Sequence, residues 1–525
     1  MRPRSLFLSL TLTLAAIAGC SSDNGTGDPT CSISAVAITG APATMLVGGS
    51  TTLGANVTQT NCTATTVAWT TDNASVATVS GAGVVTAVGA GTVTITATSG
   101  GKSGTATITV SIPPVASVLM VPDSVVVAPG GAFLFAATPR DAGGIALTGR
   151  TIAWSSTNVA SATVSGSGLL AALAPSTTTT VTATSEGQVG SAKVWVVRPR
   201  LAYFWNNDQN PAAVYEPTTG YSFASFAGAF SVNKAGTGNY TVGYPQIGRA
   251  TRETEALFVT AYGTPDGYFC RVGGWNDVAA NLSCFDAAGT PADARFDFTV
   301  LGSATFAGRY GYAWVDDAAS ATSIASPDYR YSSSGLPITV SHSGAGVYSV
   351  RFAGLARANG ADREGVIVST YGGGATAIQC QLGGWVSAGA NTDVEVRCFN
   401  AAGDPIDSRF DIALISGPRT DAKVAFADAD QPAVASYVPT SSAVKPTGDV
   451  VVTRSGAGTY QVLFNGFGRS AGATETFHVA AVGTTARRCH VTSWGGDAGS
   501  TTVGIACSTP AGVRADTRFA VVGLQ

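Results

Sequence analysis

Charged side chains are scarce in this 525-residue chain. They make up 12% of the residues and leave a net charge of -3. Proteins that bind nucleic acid or an anionic membrane surface need clustered Lys and Arg side chains. The composition therefore argues against nucleic acid as a partner and against membrane contact other than through a covalent anchor.

Histidine is rarer still, and the short cysteine and histidine spacings of zinc sites are missing. The three histidines are His342, His478 and His490, and no two share a position in the repeats described below. A Ser-His-Asp arrangement needs one histidine between nucleophile and carboxylate, and zinc sites need short CxxC or HExxH spacings. The chain has neither of the zinc spacings and no histidine placed between a nucleophile and a carboxylate, so we expect no catalytic residue, no metal site and no cofactor.

Paired carboxylates of a polysaccharide hydrolase are harder to exclude, because only their separation in the fold identifies them. The candidates are Asp316 with Asp317 and Asp428 with Asp430. We interpret them as solvated turn acids, and no Asp-x-Asp-x-Asp-Gly run supports calcium binding by such a loop.

Amphipathic helical repeats of useful length are also missing. Short runs rich in Thr, Ser and Val are broken by Gly, Asn and Asp, and the chain contains 64 Gly and 23 Pro. Such runs are typical of strands bounded by turns. The sequence predicts an all-β protein, and its length predicts several domains.

The N-terminus has the form of a targeting segment. MRPRS is positively charged, LFLSLTLTLAA is a short apolar run, and IAGC ends it with small residues before Cys20. Residues 1–19 resemble a bacterial lipoprotein signal peptide. The resemblance implies cleavage before Cys20, lipidation of its sulfur and, because Ser21 follows, an outer-membrane or cell-surface location. The alternative is an ordinary secretory signal with a chance cysteine, and residues 20–30 are expected to form a flexible tether.

Nine cysteines are an odd number for an exported protein. With Cys20 assigned to lipid, eight remain, and an oxidising compartment favours their pairing. Redox-active pairs more often have CxxC spacing, so we expect structural disulfides. The expected pairs are Cys31–Cys62, Cys270–Cys284, Cys380–Cys398 and Cys489–Cys507.

Residues 31–112 and 115–197 are alike. The first contains VAWTTDNASVATVSGAGVVTAVGAGTVTITAT and the second IAWSSTNVASATVSGSGLLAAL. Both resemble bacterial Ig-like domains of group 2. The resemblance implies two immunoglobulin-like sandwiches of the kind found in surface proteins, including adhesins. We expect Trp69 and Trp154 in the cores, and stiff joints at Pro113-Pro114 and at Arg198-Pro199-Arg200.

A second repeat occupies residues 200–303, 308–417 and 422–525. Each copy has an aromatic first strand, a hairpin-like turn, a cysteine pair that encloses a tryptophan, and a final Asp-x-Arg-Phe. The copies show a general likeness to uncharacterised repeats of exported bacterial proteins. We expect three modules of six to eight strands, each a β-sandwich or small barrel with its own core.

Three sets of residues recur in these copies at corresponding positions. They are Trp275, Trp385 and Trp494; Arg249, Arg357 and Arg469; and Arg295, Arg409 and Arg518 of Asp-x-Arg-Phe. In one interpretation they are structural, with Arg409 paired to an acidic neighbour such as Asp407 or capping exposed carbonyls at a strand end. In the other, the tryptophans and arginines form a sugar-binding site on each module, because aromatic faces stack on sugar rings.

The function expected from these patterns is binding or adhesion. The two Ig-like sandwiches would act as a stalk that presents the three modules to a glycan or protein of the cell envelope or outside the cell. A structural spacer without a ligand is the alternative, and a polysaccharide hydrolase ranks last.

Overall fold

The computed structural model describes residues 31–525 except 63–64, 212–213, 218, 226–227, 245–253, 359–361, 373–375, 419–422 and 470–473. The signal segment, Cys20, the tether and Arg249 lie outside the described residues. The described part contains strands and one 3-10 turn at Thr219–Tyr221, and none of its helices could cross a membrane. The all-β fold class predicted from the sequence is confirmed. The chain divides into two compact units, Met1–Pro114 and Val115–Gln525.

The first unit is a β-sandwich of nine strands. Its sheets have the orders β1-β4, β2-β9-β8-β5 and β3-β7-β6. In β8 the apolar residues Val93, Ile95 and Ala97 alternate with threonines and are buried, because successive side chains of a strand face opposite sides. The strands are β1 Ser32–Thr39, β2 Thr44–Leu46, β3 Ser50–Thr52, β4 Gly54–Thr60, β5 Ala68–Thr71, β6 Ala77–Val79, β7 Val84–Ala87, β8 Gly91–Ser99 and β9 Lys102–Ser111.

The second unit begins with another sandwich that repeats this topology strand for strand. Its sheets have the orders β10-β13, β11-β18-β17-β14 and β12-β16-β15. The strands are β10 Ser117–Val121, β11 Ser124–Val127, β12 Ala132–Leu134, β13 Ala136–Arg140, β14 Ala153–Ser156, β15 Ala162–Val164, β16 Leu169–Ala172, β17 Ser176–Ser185 and β18 Gln188–Val196.

Trp69 and Trp154 lie at the edges of the two sandwich cores, half-buried rather than enclosed. A glycine covers each ring. A Cβ at Gly83 would lie 3.1 Å from the Trp69 ring, and one at Gly168 would lie 2.7 Å from the Trp154 ring. Both glycines also have positive φ. The turn after the Val-Ala-Thr-Val or Ser-Ala-Thr-Val strand therefore needs glycine both for its backbone conformation and for its close approach to the tryptophan ring.

Three further sandwiches follow, which we call modules 1, 2 and 3. In each, an inner sheet contains the first and last long strands and an outer sheet contains the cysteine hairpin. Inner sheets are β20-β19-β26-β23, β29-β27-β35-β32 and β38-β36-β44-β41; outer sheets are β21-β22-β25-β24, β28-β30-β31-β34-β33 and β37-β39-β40-β43-β42.

Module 1 comprises β19 Leu201–Asn206, β20 Ser222–Ala224, β21 Ser231–Gly236, β22 Asn239–Gly243, β23 Glu255–Tyr262, β24 Phe269–Trp275, β25 Ala279–Phe285 and β26 Arg295–Gly302. Module 2 comprises β27 Tyr310–Val315, β28 Thr322–Ile324, β29 Arg330–Ser332, β30 Ile338–Gly344, β31 Val347–Phe352, β32 Gly365–Tyr371, β33 Ile378–Ala388, β34 Asn391–Asn400 and β35 Arg409–Ile415. Module 3 comprises β36 Val424–Ala429, β37 Ser436–Tyr437, β38 Ser441–Lys445, β39 Val450–Gly456, β40 Thr459–Asn465, β41 Thr476–Ala481, β42 Arg488–Gly496, β43 Ser500–Ser508 and β44 Phe519–Leu524.

The eight cysteines expected to pair are joined as four disulfides, Cys31–Cys62, Cys270–Cys284, Cys380–Cys398 and Cys489–Cys507. In the modules each disulfide joins directly opposite residues of two neighbouring antiparallel strands. The bonds therefore staple the outer-sheet hairpins.

The three modules close into a ring through equivalent parallel contacts. The end of each inner sheet meets the cysteine strand of another module. Tyr371 of module 2 pairs with Val272 of module 1, Val482 of module 3 with Leu382 of module 2, and Tyr262 of module 1 with Val491 of module 3. Because the same positions recur in all three contacts, the modules form a pseudo-threefold ring.

Each module has its own core, as expected, and the ring adds a shared one. Tyr203 and Phe258 of module 1, Tyr312 of module 2 and Phe426 of module 3 belong to one buried cluster on the inner faces. Burying a large apolar side chain stabilises a fold by about 1.5–3 kcal/mol. The repeats are therefore not independent bodies, a feature that their sequence spacing did not predict.

The second Ig-like sandwich is packed on the ring. Trp195 and Val197 at its end join the shared core, and Tyr331 of module 2 donates a hydrogen bond to the Val126 carbonyl at 3.3 Å. The Arg198-Pro199-Arg200 segment is thus a packed crossing inside one compact unit. The boundary between the units coincides with the other expected joint, Pro113-Pro114.

Candidate binding surface at the module junctions

The tryptophans of the cysteine hairpins all lie where two modules meet. Trp275 faces module 2 at what we call the first junction, Trp385 faces module 3 at the second, and Trp494 faces module 1 at the third. All three rings are half-buried. Each packs on the core of its own module and also contacts the next module.

A β-bulge in each cysteine strand precedes its tryptophan. The register shifts between Val272 and Gly274, between Leu382 and Gly384, and at the corresponding place in β42. A Cβ at Gly383 would lie 2.3 Å from the Glu395 side chain. The bulge re-aims the strand at the junction. Modules 1 and 2 form it with Gly-Gly before the tryptophan, whereas module 3 forms it with Thr492-Ser493.

The first junction is an aromatic cluster with an arginine. The Trp275 ring lies 5.4 Å from Trp314 and 5.0 Å from Tyr371, edge to face, and Trp314 lies 4.8 Å from Tyr329. The exposed Arg409 guanidinium lies 5.1 Å from the centre of the Tyr371 ring. This is a cation–π distance, so the arginine is held against the aromatic cluster.

The third junction repeats this arrangement with other residues. Trp494 lies 5.5 Å from Trp205 and 4.7 Å from Tyr262, and Trp205 lies 4.7 Å from Tyr221. The Arg295 guanidinium lies 5.6 Å from the centre of the Tyr262 ring. Both junctions therefore combine two tryptophans and two tyrosines with arginine, and the third has a second arginine, Arg469, 5.3 Å from the centre of the Tyr221 ring.

The second junction differs. Asp428 stands where the other inner sheets have tryptophan, and Val482 stands where they have tyrosine. Arg518 forms a bidentate pair with Asp428, at 2.8 and 2.5 Å, and lies 5.9 Å from the Trp385 ring centre. This hydrogen bonding raises the pKa of Arg518, and the guanidinium is fully engaged within the protein.

The arginines of the other recurring set, which follow the hairpins, bind buried glutamates. Arg357 contacts Glu364 at 2.6 Å and Arg469 contacts Glu475 at 3.1 Å, and both glutamate side chains are fully buried. Glu364 also accepts a hydrogen bond from Trp385 Nε1 at 3.0 Å. In module 2 the arginine, the glutamate and the tryptophan thus form one internal network; Arg249 lies outside the described residues.

The pairing suggested for Asp407 with Arg409 is wrong. Asp407 accepts hydrogen bonds from His342 Nε2 at 2.9 Å and from the Gly346 N–H at 2.6 Å. Its backbone and histidine partners hold the pKa of Asp407 below its usual value. The corresponding acids of modules 1 and 3 pair in the same way, Asp293 with Lys234 and Asp516 with Arg454.

Three of the four candidate hydrolase acids have local partners. Asp317 accepts hydrogen bonds from the N–H groups of Ala319 and Ser320. The Ser320 side chain and these two N–H groups lower the pKa of Asp317. Asp428 pairs with Arg518, as described above. Asp430 accepts a hydrogen bond from the Thr440 hydroxyl at 3.1 Å. One acid thus caps a turn and another completes an ion pair.

Two buried carboxyl groups lie behind the aromatic junctions. Asp411 is directly opposite Trp314 and Asp297 directly opposite Trp205 in the inner sheets, and both are fully buried. Desolvation raises the pKa of each well above its usual value. In the described residues neither Asp411 oxygen has a hydrogen-bond partner, so burial favours the neutral carboxyl over the carboxylate.

Sequence reasoning missed Arg488, which holds the ring together at its axis. Its guanidinium donates hydrogen bonds to the carbonyls of Gly267 and Ala287 in module 1, Ala401 in module 2 and Pro510 in module 3, at 2.9–3.0 Å. Burial lowers its pKa to about 10, so it remains charged at neutral pH.

The turns bound by Arg488 had a signal in the sequence. Shortly after the second cysteine, the modules read DAAG, NAAG and TPAG, at residues 286–289, 400–403 and 509–512. These small residues converge around a recess of about 570 Å³. A Cβ at Gly289 would lie 2.5 Å from Ala401 Cβ, so the close approach of the turns needs glycine.

Comparison with known proteins identifies one family segment. A family described as bacterial Ig-like domain (group 2) matches residues 32–110, and no curated protein matches the chain. Similar solved structures include domains 4 and 5 of the S-layer protein SbsC, with 23% identity, 31% of this chain and 98% of that chain covered, and a TM-score of 0.19. Domains 1–6 of SbsC have 18% identity, with 48% of this chain and 36% of that chain covered, and a TM-score of 0.19. Human Protocadherin-24 EC1-2 has 13% identity, with 32% of this chain and 99% of that chain covered, and a TM-score of 0.17.

Proposed function

We propose that this protein is a lipid-anchored surface protein whose three-module ring binds an extracellular or cell-envelope ligand. The observation that carries the proposal is the convergence of aromatic rings and an arginine at two of the three module junctions. Half-buried aromatic rings beside a guanidinium combine the apolar and polar contacts typical of recognition surfaces.

The ligand class that best suits these junctions is a glycan. Tryptophan and tyrosine rings offer apolar surface to the C–H faces of sugars, while arginine offers directional donors. A polymer that reached more than one junction would bind with avidity well above that of a single junction. Because the ring shares one core, its junctions keep fixed relative positions.

The test uses the chain from Ser21 to Gln525, which lacks the signal segment and the lipid-bearing cysteine. We expect it to bind a subset of a glycan array. The double variant Trp275→Ala/Trp494→Ala should lose that binding while retaining the intact β-sheet circular dichroism spectrum. A natively folded chain that bound no glycan and no envelope fraction would favour the spacer function instead.

The anchor is tested separately in cells. Cys20→Ser should move the protein from the membrane fraction to the soluble fraction, with a Ser21→Ala variant as the matched control. Unchanged membrane retention of Cys20→Ser would contradict the lipid anchor without bearing on the binding function.

A further inference from the structure

We infer that the ring has two ligand sites rather than three, at the first and third junctions, and that each takes a carboxylate-bearing sugar such as a uronic acid residue. This inference rests on the proposed function and specifies the site and the ligand charge. The second junction, although it descends from the same repeat, is closed by an internal ion pair.

The three equivalent arginines differ in their ion pairing. Within the described part of the chain, neither Arg409 nor Arg295 forms an ion pair, and each stacks on a tyrosine. Arg518 instead has both carboxylate oxygens of Asp428 as partners. Two of the three guanidinium groups therefore have no carboxylate partner in the described residues. Arg409 is exposed, whereas Arg295 is half-buried and donates one hydrogen bond to the Gly263 carbonyl at 2.6 Å.

Partly exposed aromatic rings surround the arginine at the first junction. The side chains of Trp275, Trp314, Tyr329 and Tyr371 in the first junction are all half-buried, so each retains some exposed ring area, while Arg409 is exposed. A ring that accepts the C–H face of a sugar beside a planar guanidinium that binds a carboxylate in bidentate fashion matches a uronic acid. A neutral hexose would leave the arginine without its best partner.

Buried hydrogen-bonding groups without partners in the described part of the chain lie behind the aromatic surface. Trp275 Nε1 and Trp314 Nε1 are buried without a partner in the described residues, as are both oxygens of Asp411. At the third junction Trp205 Nε1 and one Asp297 oxygen are in the same state. Unsatisfied buried polar groups cost free energy, and they place a polar layer directly behind the aromatic surface at both of these junctions.

The second junction lacks all three features. Asp428 replaces a tryptophan and would repel a carboxylate, Val482 replaces a tyrosine, and Trp385 Nε1 already donates to Glu364. A carboxylate ligand would have to displace Asp428 from Arg518. One arginine–carboxylate pair would then replace another, with no net gain in binding free energy. This junction therefore serves as a natural internal control.

The experiment is isothermal titration of the chain from Ser21 to Gln525 with a short oligogalacturonate, followed in parallel by tryptophan fluorescence. The expected stoichiometry is two oligosaccharides per chain. Arg409→Ala and Arg295→Ala should each reduce it to one, because loss of a charge-assisted hydrogen bond weakens a site by about 10- to 100-fold. The double variant should show no binding.

Arg518→Gln is the matched control and should leave the stoichiometry at two. A neutral dextran oligosaccharide and a sulfated one distinguish the ligand charge: neither should match the affinity of the oligogalacturonate. The double change Asp428→Trp with Val482→Tyr rebuilds the aromatic set at the second junction and should add a third site.

The outcomes separate this inference from the proposed function. If the intact chain binds glycans but Arg409→Ala and Arg295→Ala bind as well as wild type, the surface function stands and the two-site inference is wrong. Equal loss in Arg518→Gln, or a stoichiometry of three, would also overturn it. Equal binding of the neutral oligosaccharide would overturn the carboxylate assignment. If the folded chain binds no ligand of any class, the proposed function itself fails.

Discussion

Replacing Arg488 tests whether one side chain holds the three modules closed. Arg488→Met preserves much of the aliphatic length but removes four hydrogen bonds to carbonyls of all three modules. A hydrogen bond to a charged group contributes about 1.5–3 kcal/mol. The four are not additive, since they share one guanidinium and oppose its desolvation cost.

The expected net loss is therefore about 3–5 kcal/mol in the free energy of unfolding of the second unit. Most of it comes from four carbonyls left without a donor in a site where Arg488 is only 2% exposed. Arg488→Lys should recover less than half, because an ammonium is a point charge that cannot reach groups placed around a planar fork.

The assay is urea unfolding followed by tryptophan emission, since Trp275, Trp385 and Trp494 lie at the junctions that open when the ring does. Gln379 occupies the same position in module 2, directly before the first cysteine, and Gln379→Met is the matched control. The reasoning is refuted if Arg488→Met loses less than about 1 kcal/mol, or no more than Gln379→Met.

Three further predictions concern buried charge and the hairpin staples. Burial lowers the pKa of His490 from 6.5 to about 4; because its folded pKa is depressed, the associated stability is complete above pH 6.5 and lost as the pH falls toward 4. His490→Gln should flatten that acid limb of the stability–pH curve by about 3 kcal/mol, and an unchanged curve would contradict the assignment. Glu364 pairs with Arg309 at 2.8 Å and with Arg357 at 2.6 Å. Glu364→Ala removes the carboxylate that these two arginines share, leaves Arg309 with Asp362 alone, and should cost about 3–5 kcal/mol by chemical denaturation, whereas a loss below about 1 kcal/mol would show that the pairs do not stabilise the fold. Cys270→Ser with Cys284→Ser opens a short cross-strand loop and should cost about 3 kcal/mol, measured against the unreduced wild type; equal stability would indicate that the hairpin needs no staple.

Local patterns in the sequence were sufficient for the strands, the disulfides and the sandwich modules. Alternation of Val and Ile with Thr in segments such as Gly91–Ser99 determines which face of a strand is buried, and that depends only on near neighbours. The cysteine pairs also lie close in sequence and are joined across adjacent strands. Because the cysteine count is odd, the sequence also predicts that Cys20 stays outside the disulfides and carries a lipid.

The sequence predicted some residues of the candidate site but not how they come together. The recurring tryptophans and arginines could be found by comparing the three copies, but their partners could not. Trp275 meets Trp314, and Trp494 meets Trp205, across module boundaries separated by tens or hundreds of residues. Long-range pairs of this kind leave no periodic signal.

The sequence by itself determined the all-β class and the local chemistry of each hairpin, because these depend on side-chain alternation, turn residues and nearby cysteines. Only the tertiary structure decided that the modules close into a ring, that Arg488 binds carbonyls from all three, and that the three junctions are not equivalent. The physical reason is that parallel contacts between module edges use backbone groups, which every residue carries. The surfaces that such contacts bring together follow from geometry rather than from any sequence pattern.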